Sequence, residues 1–423
     1  MNNIYLNTNE RDIRSAKFFA KNALGGDNDT NLIGDDIKSD IKIRDDYNTD
    51  NGYIDKKVGD QGKKKNWLVI VYGAGDYDYA EYVAKDFNEV SELSSSESTH
   101  LVALFDFGKQ WGPIPFENAR VYYIGQNSIK ELGYLGSVNM ANPGFMAKII
   151  KEIIKKFPAE NVAILIAGSG MGWKGSILEE DKVQGRKERM KITQVRRALE
   201  IVRDSIGKKI DVLAFDGSFM AMFEVGYELK DVVKYMVASQ THTGKGRINY
   251  KAALSGWYEI SSKADPKELA KMLVENVDGY DSITTLSAVD LEKAADVAKA
   301  INSFAETVLK ANNSDMRAVK KKIQETQKLS DAEISYKDLK HFMELVAEDN
   351  KINIEIREKA KAVIKALDDY KVLVYSSVKN FPHAKGVGIE LPYTSGDLYK
   401  MDSVVGGTYQ VTSFAQDVSL WVK

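Results

Sequence analysis

Short apolar runs alternate with amphipathic and charged segments along most of this chain of 423 residues. Runs such as residues 67–72 (WLVIVY) and 162–167 (VAILIA) lack the polar–apolar alternation of a strand with one face in water. Unbroken runs of this kind are typical of parallel strands covered by helices on both faces. Helical segments separate the runs, so the sequence predicts an α/β fold with a doubly wound, mostly parallel central sheet flanked by helices.

Three regions follow from the same pattern. Residues 1–65 are rich in Asp, Asn, Lys and Gly, so a packed core is not expected there and the segment is interpreted as a leader. Residues 66–260 carry the strand and helix alternation of the core. Residues 261–423 are mainly helical, and their later strands are expected to complete the sheet. The helices of this last region are predicted at residues 266–277, 291–312, 316–328, 336–349 and 354–367.

Two of the apolar runs end in glycines and small polar residues. Residues 162–173 read VAILIAGSGMGW, and residues 210–220 read IDVLAFDGSFM. Ligands gather at the carboxyl ends of the strands in open α/β sheets, so Ser169 and Ser218 are expected to face one crevice. Glycines next to a polar side chain also let backbone N–H groups approach a reacting carbonyl, as an oxyanion hole requires.

Both stretches resemble motifs of the clostripain-like cysteine peptidases, which share the caspase-type fold. The segment SGMGW at residues 169–173 is similar to His-Gly-x-Gly-Trp, and DGSFM at residues 216–220 is similar to Asp-Ala-Cys-Leu-Met. Ser169 therefore stands at the position of the family's histidine, and Ser218 at that of its cysteine. The resemblance implies a caspase-like core with a helical C-terminal insertion, and a peptidase site that lacks its catalytic dyad.

The resemblance also implies roles for neighbouring residues. The N–H groups of Gly170 and Ser218 would hold the oxyanion, and Asp216 would bind an Arg or Lys side chain of the substrate. The alternative for Asp216 is an acid that caps the following helix. The family's Ser-Glu-Glu is replaced at residues 239–241 by Ser-Gln-Thr, which would weaken a basic pocket or leave Asp216 to form it alone.

A charged stretch lies between the two motifs. Residues 179–191 have no apolar period and are predicted to form a solvated loop. Clostripain-like enzymes cut themselves between the two dyad positions, and the leader would then act as a propeptide. The candidate cleavage points in this loop are Lys182, Arg186, Lys187 and Arg189.

Three functional hypotheses remain. The first is a cysteine endopeptidase that cleaves after Arg or Lys, present here in an inactivated and unprocessed form. The second is a natural pseudopeptidase that binds basic peptides. The third is a serine hydrolase that uses Ser218, but the sequence has no G-x-S-x-G elbow, and a lone loop histidine such as His242 is a poor candidate base. The first is favoured because Gly170, Gly172 and Trp173 are kept while both reactive positions are serine.

Composition narrows the partners. A net charge of −2 gives no reason to expect binding to nucleic acid or an anionic membrane, and no apolar run approaches a membrane span. The absence of cysteine excludes disulfides and thiolate metal sites. No cofactor or metal is predicted, although the acidic leader is compatible with calcium. The partner would be a polypeptide with Arg or Lys at the cleaved bond.

The family resemblance favours secretion, with a cytoplasmic protein as the alternative because the first residues do not resemble a signal peptide. The sequence leaves the oligomeric state open.

Overall fold

The computed structural model describes residues 52–76, 80–108, 118–126, 128–181, 186–243, 248–277, 285–330, 336–376 and 380–391. For residues 178–181, 186, 187, 375 and 376 only the backbone is described. Most of the predicted leader and residues 392–423 lie outside the described residues.

The described strands, in chain order, are β1 Lys65–Gly75, β2 Thr99–Phe107, β3 Ala119–Gly125, β4 Ser128–Gly136, β5 Ala159–Ala167, β6 Ser176–Asp181, β7 Arg186–Met190, β8 Ile210–Asp216, β9 Val233–Ala238, β10 Thr285–Asp290, β11 Tyr336–Asp338, β12 Lys371–Ser376 and β13 Gly388–Glu390. The described helices are α1 Ala80–Ser91, α2 Pro143–Lys156, α3 Ile192–Ile206, α4 Phe223–Leu229, α5 Tyr250–Ile260, α6 Pro266–Glu275, α7 Ala294–Leu309, α8 Asn313–Glu325, α9 Leu339–Glu348 and α10 Ile354–Tyr370.

Nine strands form the central sheet in the order β12-β10-β9-β8-β5-β1-β2-β3-β4. The five inner strands from β9 to β2 are parallel to one another. Antiparallel strands complete both edges, with β10 and β12 beside β9, and β3 and β4 beside β2. The predicted α/β fold with a mostly parallel central sheet is confirmed.

Helices cover both faces of the sheet. Successive apolar side chains of β1 point to opposite faces, so each face needs helices that bury them. Leu68, Ile70 and Tyr72 pack in one hydrophobic core with side chains of α2, α3, α4, α7, α9 and α10. Val69 and Val71 face a second core that contains side chains of α1, α5 and α6. The sheet is therefore doubly wound, and every β1 side chain from residue 67 to residue 72 is buried.

The structure differs from the sequence-based expectation in several elements. The predicted solvated loop at residues 179–191 is instead built around a β-hairpin of β6 and β7, so this prediction was wrong. Strand β4 and helix α5 were not predicted, and the helix predicted to begin at Tyr336 is preceded by β11. Most residues of β7 are charged, so its strand conformation left no apolar pattern in the sequence.

Residues 52–64 pack against the core although they fall within the predicted leader. Tyr53 and Ile54 are buried, and their amide groups donate hydrogen bonds of 2.8 and 2.9 Å to the Glu152 carboxylate. Lys156 Nζ in turn donates to the carbonyl oxygen of Ile54 at 2.7 Å. The end of helix α2 thus anchors this segment to the core.

Candidate active site

The two glycine-rich stretches lie side by side at the carboxyl edge of the sheet. β5 and β8 are parallel neighbours, and Ala167 at the end of β5 lies opposite Asp216 at the end of β8. The chain continues from these strand ends to Ser169 and Ser218. A Cβ on Gly217 would lie 3.0 Å from the carbonyl carbon and oxygen of Ser169, which is a very close packing distance. The backbones around the two serines are therefore in direct contact.

A second close approach joins Gly170 to Ser218. A Cβ on Gly170 would lie 2.3 Å from the carbonyl oxygen and 2.9 Å from the amide nitrogen of Ser218, so only glycine fits at this position. The backbone amides of Gly170 and Ser218 donate no hydrogen bond to an acceptor within the part of the chain that the structure describes. Two neighbouring N–H groups without an internal acceptor meet the basic requirement for binding a negatively charged oxygen.

The β6–β7 hairpin folds back onto Ser169. The Oγ atom of Ser169 accepts a hydrogen bond from Arg189 Nη1 at 3.1 Å. The carbonyl oxygen of Ser169 accepts hydrogen bonds from Ile177 N at 3.2 Å and from Ser176 Oγ at 3.1 Å. Arg189 is half-buried, so the guanidinium lies against the loop rather than in open solvent. One of the predicted cleavage residues is therefore part of the site itself.

Ser218 is held by the segment that follows β9. Its Oγ accepts a hydrogen bond from Thr243 N at 3.1 Å and lies 3.3 Å from Thr243 Oγ1. Among the described residues, no histidine nitrogen is hydrogen-bonded to this oxygen. The ring of His242 packs instead against Phe219, with 6.2 Å between the ring centroids. The hydroxyl of Ser218 thus has polar neighbours but no positioned base.

Phe219, directly after Ser218, has a strained backbone. Its φ angle is 62°, in the left-handed region that an aromatic residue rarely adopts. The conformation is held in part by a hydrogen bond of 3.0 Å from Phe219 N to the carbonyl oxygen of Thr241. Backbone strain of this kind clusters at functional sites, where the surrounding structure keeps one backbone geometry fixed. Here it turns the chain sharply at the residue that follows Ser218.

The sequence and the fold can now be compared with those of known proteins. Residues 71–417 match the model of the clostripain family, and this range is most of the chain. The chain belongs to the clostripain family. It therefore has the scaffold of a cysteine protease, a hydrolase. A search of curated proteins found no match to this sequence.

Two solved structures support the fold of this clostripain-family chain. One is a secreted C11 cysteine protease from Bacteroides thetaiotaomicron in complex with an irreversible peptide inhibitor, with a TM-score of 0.62, 14% identity, and coverage of 84% of this chain and 98% of that chain. The other is an inactive zymogen C11 protease from Parabacteroides distasonis, with a TM-score of 0.60, 14% identity, and coverage of 84% of this chain and 98% of that chain. At these identities the likeness establishes the fold, and it confirms the predicted caspase-like class.

Asp216 is buried at the end of β8. Its Oδ1 accepts a long hydrogen bond of 3.5 Å from Ile248 N. The alternative role as a cap of the following helix is wrong, because α4 has Met222 at its N-cap and no side-chain cap. Asp216 as a substrate-binding residue of this clostripain-family chain stays a prediction.

The residues that replace the family's Ser-Glu-Glu point into the protein. Ser239, Gln240 and Thr241 are fully buried. Gln240 Nε2 donates to Asp338 at 2.9 Å, and Gln240 Oε1 accepts from Gly386 N at 2.8 Å. The side chain at position 240 thus bonds to the segments at β11 and β13. The expectation that these replacements directly weaken a basic pocket therefore finds no support in the geometry.

Sequence analysis missed a brace formed by the two-stranded sheet of β11 and β13. Tyr336 Oη donates to the carbonyl oxygen of Met171 at 2.8 Å, which fixes the loop after Ser169. Gly388 N donates to the carbonyl oxygen of Ala221 at 2.8 Å, which fixes the chain after Ser218. One small sheet therefore holds both motif stretches. Nothing in the sequence of residues 386–391 showed that this segment lies behind the site.

Buried carboxylates extend this brace. Trp173 Nε1 donates to Glu390 Oε2 at 2.5 Å, and Glu390 N donates to Glu224 Oε1 at 2.8 Å. Glu224 is fully buried in α4, and burial raises its pKa to about 8, with Glu390 adding a like charge. Near neutral pH, Glu224 is therefore mostly protonated.

This raised pKa predicts a pH dependence of stability. A carboxyl whose folded-state pKa lies above its unfolded value stabilises the fold fully below the unfolded pKa and loses that contribution as the pH rises to the folded pKa. Between about pH 5 and pH 8 the parent should lose roughly 3 kcal/mol relative to Glu224→Gln, in which Oε1 can still accept the Glu390 hydrogen bond. Urea unfolding of both proteins across this range measures the difference. Parallel pH profiles would show that Glu224 is ionised in the folded protein.

The structure describes only some of the predicted cleavage residues. Lys182 lies outside the described residues, and nothing is described of the side chains of Arg186 and Lys187. The backbone from residue 186 to residue 190 pairs with β6. Cleavage after Arg186, Lys187 or Arg189 would therefore need the hairpin to open first, since proteases act on extended and accessible segments.

Neither a metal site nor a membrane helix was found in the described ranges. No group of three or more His, Asp or Glu side chains there is arranged to hold a metal ion. None of the helices described is long and apolar enough to cross a membrane.

Proposed function

We propose that this chain is a catalytically inactive form of a clostripain-family cysteine endopeptidase whose active counterpart cleaves polypeptides after Arg or Lys. The observation that carries the proposal is the pair Ser169 and Ser218, which occupy the two motif positions in a chain that contains no cysteine. Gly170 and Trp173, which belong to the same motif, remain in place and make the close contacts described above.

The chemistry of the active counterpart follows from this geometry. A histidine at position 169 would take the proton of a cysteine at position 218, and the thiolate would attack the scissile carbonyl carbon. The amides of Gly170 and residue 218 would stabilise the oxyanion. In this chain, Ser169 cannot act as a base and Ser218 is bonded to Thr243, so the first step has neither nucleophile nor base.

Self-processing and secretion form part of the same proposal. The relatives include a protease described as secreted and another described as an inactive zymogen. We propose that the active counterpart of this chain is also secreted. It would be made as an inactive zymogen and would become active by cleavage between the two motif positions. The candidate points remain Lys182, Arg186, Lys187 and Arg189, and cleavage at the last three would require the β6–β7 hairpin to open.

A natural pseudopeptidase is the second candidate. The observation in its favour is the bond from Arg189 to Ser169, which gives the altered site a specific polar partner. The serine-hydrolase hypothesis has no such support, because none of the hydrogen bonds described at Ser218 Oγ comes from an imidazole.

The first test is an activity assay of the chain as it stands. Fluorogenic peptides with Arg or Lys before the reporter group should show no turnover above buffer, because no thiolate or positioned imidazole is present. The Ser218→Ala variant should give the same background. Turnover that this variant abolishes would contradict the proposal and favour a serine hydrolase.

A further inference from the structure

Positive charge lies beside the position of the missing base. Arg189 bonds to Ser169 Oγ from the β6–β7 hairpin. Lys174 lies just beyond the same glycine-rich loop, with its Nζ 5.6 Å from the centre of the Trp173 ring. Burial lowers the pKa of Lys174, the acidic Glu390 raises it, and the neighbouring charge of Arg189 lowers it. The two cations are thus close enough to influence each other, with Glu390 as the acid that faces Lys174.

Two backbone amides of the same loops have no hydrogen-bond acceptor among the described residues. Gly170 N and Ser218 N meet where the two stretches touch, and neither donates to another described residue. Gly170 directly follows Ser169, the residue that carries the Arg189 contact. The Arg189 guanidinium thus contacts the side chain of Ser169, and the next residue along the chain, Gly170, lies against the backbone of Ser218.

We infer that this crevice binds the free C-terminal carboxylate of a peptide, with one carboxylate oxygen at the amides of Gly170 and Ser218 and the other at the guanidinium of Arg189. The inference rests on the proposed function, since it takes the crevice to be a peptide-binding site.

The physical reason is the match of shape and charge. A guanidinium donates through a planar fork that fits a carboxylate, and charge-assisted hydrogen bonds are stronger than neutral ones. A carboxylate also resembles the oxyanion of a cleavage intermediate, since both present a negatively charged oxygen to the amides. A site without a base cannot cleave a bound peptide, but it can still hold the product of a cleavage.

The experiment uses the intact chain and four pentapeptides of one sequence. Two peptides end in Arg and two in Ala, and each pair differs only in a free carboxylate or a carboxamide at the C-terminus. Isothermal titration should show tighter binding of the free acid in both pairs, by about 10-fold or more. Equal affinities of acid and amide, or no binding of any peptide, would overturn the inference.

Two variants and a matched control test the assignment to Arg189. Arg189→Gln should remove the preference for the free acid, and Arg189→Lys should keep part of it because the charge remains. Arg197→Gln is the control, since Arg197 is an exposed arginine of α3 that pairs with Glu200. Thermal unfolding checks that all three variants are folded. A full preference for the acid in folded Arg189→Gln would overturn the assignment, as would its loss in Arg197→Gln.

Two further measurements complete the experiment. One distinguishes a peptide ligand from a small free carboxylate, and the other separates the carboxylate site from the basic pocket of the proposed function. If the peptide is the ligand, millimolar acetate should compete weakly, and an acetate affinity equal to that of the peptide would overturn peptide recognition. The comparison of Arg-ending with Ala-ending peptides tests the basic pocket of the proposed function. Equal affinity of these two free acids would count against that pocket, while the difference between acid and amide would still support the carboxylate site.

Discussion

The double variant Ser169→His/Ser218→Cys is expected to cleave peptides after Arg or Lys, whereas the parent chain is expected to be inert. Loss of a nucleophile and its base costs on the order of 10⁴-fold or more in kcat, so restoring both should give a gain of that size. The supporting parts are present, because Gly170 and Ser218 meet at the crevice and the β11–β13 brace holds both stretches. The rate is measured with fluorogenic peptides that carry Arg, Lys or Glu before the cleaved bond.

The two single variants serve as controls for this result. Ser218→Cys alone supplies a thiol without a base, and Ser169→His alone supplies a base without a thiol, so both should remain near background. Activity of Ser218→Cys equal to that of the double variant would show that position 169 is not the base. A folded but inert double variant would mean that these two positions do not form the dyad.

The second large effect concerns Asp216. In the restored enzyme, Asp216→Asn is expected to lower kcat/KM for Arg and Lys substrates by roughly 10² to 10⁴-fold, since removing one partner of a buried charge pair costs about 3–5 kcal/mol. The carboxylate is buried beside Ile248, so a substrate cation that reaches it would leave water and depend strongly on this charge. Cleavage of peptides with uncharged residues before the cut should change little.

Asp106→Asn is the matched control for Asp216. Asp106 is also a buried acid near the carboxyl end of a parallel strand, in β2. This variant should keep the preference for basic substrates. If Asp216→Asn kept the preference as well, Asp216 would have a structural role through its contact with Ile248, and the basic pocket would have to lie elsewhere.

The core could be predicted because its strands are buried on both faces. Residues 67–72 and 162–167 form long apolar runs, and a buried parallel strand has few other sequences available to it. Gly170 could be recognised for a related reason, since its contact with the backbone of Ser218 leaves no space for a Cβ. These signals are local in the sequence, so no knowledge of distant contacts was needed.

Other features depend on contacts between distant segments. The charged residues 186–190 form a strand because they pair with β6. Their own sequence is almost entirely charged and has no alternation that would predict a strand. The change of a family acid to Gln240 was expected to weaken a basic pocket, yet the direction of this side chain is set by Asp338, which is far away in sequence. Helix α5 is a different case, because Tyr250, Ala253 and Trp257 follow helical spacing and the sequence therefore does carry a local signal for it.

Covalent labelling of the double variant tests the central claim most directly. The parent contains no cysteine, so the only thiol that an irreversible peptide inhibitor ending in Arg can modify is the one introduced at position 218, and intact-mass measurement counts the product. The account predicts complete labelling of Ser169→His/Ser218→Cys, much faster than of Ser218→Cys alone, and slower labelling with an inhibitor that ends in Glu. Equal slow rates for the double and single variants with both inhibitors would contradict it, because the two serines would then not occupy the positions of a peptidase dyad.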